Sequence, residues 1–158
     1  MKVDILIATV ILTGCVSTYQ SPRHEGPTAT IVLSADEASV GGVAKADLLR
    51  IQTFSDDKCS VNADGTNLAQ FSLLARGDDL GGTTKQVPAG QPFILSFFHY
   101  AGVYGSRQCT ITYSFMPVQG ESYRAHFTRH GNQCNVSLTS AAGLPVHGVR
   151  QIIPGCSK

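Results

Sequence analysis

The chain has 158 residues and a mass of 16.8 kDa, the length of a single domain. Charged residues make up 15% and apolar residues 42%, and 12 Lys+Arg against 11 Asp+Glu leave a net charge of +1. That balance excludes a bulk electrostatic binder of nucleic acid and a wholly disordered chain, and no apolar run reaches the roughly 20 residues of a spanning helix.

The first element is a leader. Met1 to Asp4 is polar, Ile5 to Leu12 is apolar, and Thr13-Gly14-Cys15 follows. Eight residues give only about 12 Å of helix, too short for a hydrocarbon layer but suited to the core of a signal peptide. Leu12-Thr13-Gly14-Cys15 resembles the lipobox of bacterial lipoproteins. The resemblance implies cleavage before Cys15, a diacylglyceryl group on its sulfur and acylation of the new amine. Several acyl chains anchor a protein firmly, because each buried CH₂ contributes about 0.8 kcal/mol. Val16-Ser17, with no Asp after the cysteine, implies sorting to the outer membrane of a Gram-negative cell, the domain facing the periplasm. Residues 1–14 are thus expected to be signal peptide, 15–27 an acylated tether and 28–158 the folded domain. Pro22, Gly26 and Pro27 interrupt regular structure in the tether, which reaches at most about 40 Å when extended.

From Thr28 onward the apolar residues recur with period two, the signature of half-buried strands. Strands are expected at 28–34, 47–54, 59–61, 68–74, 85–87, 93–100, 109–115, 123–128 and 133–139, with an edge strand in 146–153 limited by Pro145 and Pro154. Ser34-Ala-Asp-Glu37 has capping-box spacing, but Gly41-Gly42 leaves room for one short helix at most. Cys109, Ile111, Tyr113 and Phe115 alternate with polar neighbours, as do Tyr123, Ala125 and Phe127, then Cys134, Val136 and Leu138. The expected fold is all-β: an antiparallel β-sandwich, Ig-like or a small open barrel.

Four cysteines remain beyond Cys15: Cys59, Cys109, Cys134 and Cys156. An even number in an exported chain points to two disulfides. If 109–115, 123–128 and 133–139 are consecutive strands of one sheet, Cys109 and Cys134 stand about 10 Å apart, beyond disulfide reach. That favours Cys59–Cys109 with Cys134–Cys156, and leaves Cys59–Cys134 with Cys109–Cys156 open.

Val87-Pro-Ala-Gly90, Cys109, and Phe115-x-Pro117-x-x-Gly120-x-x-Tyr123 resemble a pattern of small bacterial envelope lipoproteins of unknown function. It covers residues 87–123 and implies a sandwich in which each turn opens a strand, with no activity attached.

Candidate chemistry is sparse. There is no Gly-x-Ser-x-Gly elbow, His-Glu-x-x-His motif or phosphate-cradling glycine loop, and paired cystines offer no thiolate nucleophile. An enzyme is not expected, and neither a cofactor nor a metal is. Val103 and Tyr104 in the small-residue loop 101–106 are a candidate binding site, since tyrosine supplies large contact area at low entropy cost. Arg124, His126 and Arg129 are expected to form a mildly basic strip that could meet an anionic partner. The expected role is a lipid-anchored, non-enzymatic binding or assembly module with the membrane and an envelope protein as partners. The alternative is a glycan- or ligand-binding lipoprotein, including an inhibitor of a wall-degrading enzyme.

Overall fold

The computed structural model describes residues 19–21, 26–36, 48–55, 65–72, 81–101, 107–131 and 133–153. Among them the chain forms nine strands and no helix: β1 (Thr28–Ala35), β2 (Leu48–Phe54), β3 (Thr66–Phe71), β4 (Thr83–Pro88), β5 (Phe93–Ala101), β6 (Arg107–Phe115), β7 (Ser122–His130), β8 (Gln133–Ser140) and β9 (Arg150–Ile152). They build a four-stranded sheet in the order β4-β1-β7-β8 and a five-stranded sheet in the order β3-β2-β5-β6-β9.

Alternation decides which face each strand buries. On β1, Ala29, Ile31, Leu33 and Ala35 are buried while the residues between them are half-exposed. On β7, Tyr123, Ala125 and Phe127 do the same. These residues pack in one core with Leu49, Ile51, Leu95 and Phe97 of the opposite sheet. Phe97 and Phe127 stack across the core at 6.4 Å, and His99, fully inside, lies 5.4 Å from the same Phe127 ring. Two sheets closed over one apolar layer make a sandwich rather than a barrel.

The expected sandwich forms, and its neighbouring strands run antiparallel with one exception: β1 pairs with β7 in parallel, Thr30 opposite Ser122 through Ala35 opposite Phe127. The long crossover between them contains β2 to β6. The disulfide pairing is corrected: Cys109 is bonded to Cys134, with Cα atoms 6.4 Å apart. The favoured Cys59–Cys109 with Cys134–Cys156 is therefore overturned, and so is the alternative that paired Cys59 with Cys134. The error lies in the sheet assignment. β6 belongs to one sheet and β7 and β8 to the other, so residues 116–121 carry the chain across the sandwich rather than round a hairpin. Cys109 and Cys134 face each other across the core instead of lying two strands apart. Cys59 and Cys156 lie outside the described residues.

The residue at position 34 also differs in role from its capping-box spacing: Ser34 and Ala35 continue β1. Segment 37–47, where the short helix had room, lies outside the described residues, as does segment 59–61.

Candidate functional site

The turns that the sequence resemblance singled out meet at one end of the sandwich. β1, β5 and β7 start there, and β2, β4, β6 and β8 finish there. Gly90 and Gly120 sit at φ +75° and +78°, a region that side chains disfavour. Each joins its turn to a neighbour: Gly90 N–H donates to the Pro117 carbonyl at 2.8 Å, and Gly120 N–H to that of Thr28 at 2.9 Å. The Tyr123 hydroxyl accepts from the Val118 N–H at 2.9 Å, while its ring meets Phe115 edge-on at 5.3 Å. Gly120-x-x-Tyr123 is thus a turn locked from beneath by its own tyrosine.

Tyr19 closes this end from the side. Its N–H donates to the Asn67 carbonyl on β3 at 3.0 Å, and its hydroxyl to the Gln86 carbonyl on β4 at 2.7 Å. It therefore spans the edge strands of the two sheets, and its ring packs against the main core. Burial pushes its phenol up to about 12 from an ordinary value of 10.0, because a phenolate there would lose its hydration. The segment read as a tether is consequently fastened to the domain at Tyr19, eight residues before Pro27.

Between Tyr19 and the strand ends lies a groove of about 900 Å³. Tyr19, Phe54, Phe93, Ile94, Phe115 and Met116 supply apolar wall, while Gln91, Ser114 and Arg150 add polar atoms. This size and lining suit a compact ligand or the side chains of a partner segment. Phe54 is held in place by Gly65: a Cβ on that glycine would stand 2.8 Å from the Phe54 ring. Gln52 Nε2–H secures the same glycine through its carbonyl at 3.3 Å.

The residues singled out from the sequence fall elsewhere. Cys15, Val103 and Tyr104 lie outside the described residues. Arg124 is exposed on the outer face of β7, and His126 shares that face. Arg129 does not: its position is of the opposite parity, and it stands opposite Cys134, half-buried. The expected strip is therefore two residues, and one of them is engaged. His126 Nε2 is hydrogen-bonded to Asp36 Oδ1 at 3.0 Å, and its Nδ1 to the Ser34 hydroxyl at 2.8 Å. Sequence reading missed Ser34 and Asp36 here, because parallel pairing of Ser34 with His126 bridges 92 positions.

A hydroxyl, an imidazole and a carboxylate in one chain have the connectivity of a nucleophilic triad. Their setting is different. His126 and Asp36 are 37% and 46% exposed, none of the three lines the groove, and His126 stands about 13 Å along β7 from its start. Among the described residues the arrangement ties the end of β1 to β7. A second cluster, His99 with Cys109 and Cys134, keeps its potential ligand atoms within 4.8 Å of one another. Both sulfurs are committed to the disulfide, so they present no thiolate to a metal.

One further surface feature lies on the outer side of the five-stranded sheet, where Phe98 and Tyr100 meet edge-on at 4.5 Å and remain half-exposed. Against known proteins the chain stands apart: no family model, no curated protein and no solved structure matches it.

Proposed function

We propose that this chain is a lipid-anchored module of the bacterial envelope, attached to the outer membrane through Cys15 with its sandwich in the periplasm, and that it acts by binding a partner protein in the groove. The observation that carries the binding role is the groove itself: about 900 Å³, lined by apolar and polar residues together, at the end where Tyr19 fastens the N-terminal segment. Aromatic and aliphatic walls interrupted by a few polar groups favour an apolar anchor residue flanked by hydrogen-bonding atoms. The anchor would hold such a partner at the membrane. A non-enzymatic role is supported by the setting of the Ser34–His126–Asp36 chain, which stands on an open sheet face away from the groove.

A photo-crosslinking amino acid placed at Gln91 or Ser55 in the groove, and at Arg124 on the outer sheet face, tests the reading in native membranes. A discrete protein adduct from positions 91 and 55 but not from 124 is the expected result. Adducts from 124 alone, or none from the groove, would refute it. A second reading, glycan binding, draws support from the half-exposed Phe98–Tyr100 pair, since aromatic faces stack on sugars. A glycan-array signal that disappears with Tyr100→Ala would favour it over a protein partner.

A further inference from the structure

We propose that the groove end of the sandwich rests on the lipid surface itself, with Met116, Val118 and Leu144 entering the interface; this deepens the lipid-anchored reading and rests on it. Four large apolar side chains are exposed among the described residues: Met116 (57%), Val118 (59%), Leu144 (66%) and Ile153 (81%). The first three share one end. Met116 and Val118 lie in the passage from β6 to β7, and Leu144 lies in the turn after β8, whose Ser140 N–H donates to the Leu144 carbonyl. Ser140 pairs with Tyr123 at the start of β7, so all three side chains project from the end where the strands meet the turns.

The described turns of that end carry little charge, while the β2–β3 connection, which bears Asp56, Asp57, Lys58 and Asp64, lies outside the described residues. Across residues 26–28, 88–93, 115–122 and 140–149 the single side chain formally charged at pH 7 is Glu121, counting histidine as neutral. The opposite end carries Asp36, Arg129 and His130. Isolated apolar tips gain by entering the headgroup boundary, so the three exposed side chains grouped at this end orient the domain.

The chain's own anchor fixes the distance. Tyr19 is held at this end by both edge strands, and Cys15 precedes it by four residues, a reach of at most about 14 Å. An acyl chain on Cys15 therefore cannot suspend the domain far from the bilayer. It brings the end bearing Met116, Val118 and Leu144 to the surface, with those side chains about 5–10 Å into the boundary of headgroup and acyl chain. The groove then opens where lipid and partner meet.

The chain has no tryptophan, so one introduced residue reports without background. The full acylated chain carrying Val118→Trp, Leu144→Trp or, at the far end, Gln133→Trp is reconstituted into phosphatidylethanolamine/phosphatidylglycerol vesicles containing a brominated lipid. Blue-shifted emission that loses most of its intensity to bromine at positions 118 and 144, with unshifted, unquenched emission at 133, is the expected result. Two independent turns guard against one variant misfolding. Intact mass on the same samples separates the two ways of failing. An acylated chain whose three tryptophans behave alike overturns the docking and leaves the anchor standing, while an unmodified Cys15 overturns the anchor and the docking with it.

Discussion

Replacing Cys109 and Cys134 together by alanine isolates the contribution of the disulfide that spans the core. The bond closes a loop with a sequence separation of 25 residues, which contains the passage between sheets and all of β7. In the chain-entropy account the unfolded state gains about 12 cal/mol/K when such a loop is released, or roughly 3.5 kcal/mol at 25 °C. That is a large share of the 5–15 kcal/mol that stabilises a typical domain, and corresponds to a fall in Tm of roughly 10–15 °C. Urea titration of the oxidised protein and the double variant measures it, with the midpoint moving down and the slope rising slightly as the unfolded chain expands. Connectivity is read separately by trypsin, since Cys59, Cys109, Cys134 and Cys156 fall on the separate tryptic peptides 59–76, 108–124, 130–150 and 151–158. Unlinked peptides 108–124 and 130–150, or a loss of less than about 1 kcal/mol in the double variant, would refute this role of the disulfide.

Other substitutions probe the site more locally. His126→Ala removes the bonds to Ser34 and Asp36 and is expected to cost about 1–2 kcal/mol by chemical denaturation, whereas Arg124→Ala on the same face stays within about 0.5 kcal/mol. Gly65→Ala drives a methyl against the Phe54 ring and is expected to destabilise by about 1–3 kcal/mol while lowering crosslinking from the groove. Tyr19 gives a pH signature: with its phenol raised in the folded state, stability is full below pH 10 and falls as the pH rises towards about 12, because the unfolded chain ionises first. Tyr19→Phe should flatten that decline between pH 10 and 12, and an unchanged slope would remove Tyr19 as its source. Ser96 and Thr112, buried on adjacent strands with their hydroxyls 2.8 Å apart, should show a coupling of about 1 kcal/mol in a double-mutant cycle with Ser96→Ala and Thr112→Val.

Much of the strand content was legible because period-two alternation is a local property. Ile111 and Tyr113, or Ala125 and Phe127, face the core for reasons contained in a few consecutive residues. What alternation cannot reveal is which sheet a strand joins. Phe115-Met-Pro-Val-Gln-Gly120 has the composition of a hairpin turn, yet it crosses the sandwich, and from that crossing follow both the Cys109–Cys134 bond and the parallel pairing of β1 with β7. The groove was illegible for a related reason. Tyr19, Phe54, Phe93, Met116 and Arg150 come from five segments far apart in sequence, which only the closed fold brings together. Two signals in the sequence did point to that end: Pro88-Ala-Gly90 and Gly120-x-x-Tyr123, whose turns hydrogen-bond to the strands and to each other. The Ser34–His126–Asp36 chain had no such trace, since its register depends on a pairing that only the closed sheet creates.

Intact-mass spectrometry of the protein extracted from its native membranes addresses the root of the account. The expected species begins at Cys15, has lost residues 1–14, and carries acyl chains on that residue, with the Cys109–Cys134 bond intact. A chain that retains Met1 and bears a free thiol at Cys15 would contradict the anchor, and with it the placement of the groove at the membrane.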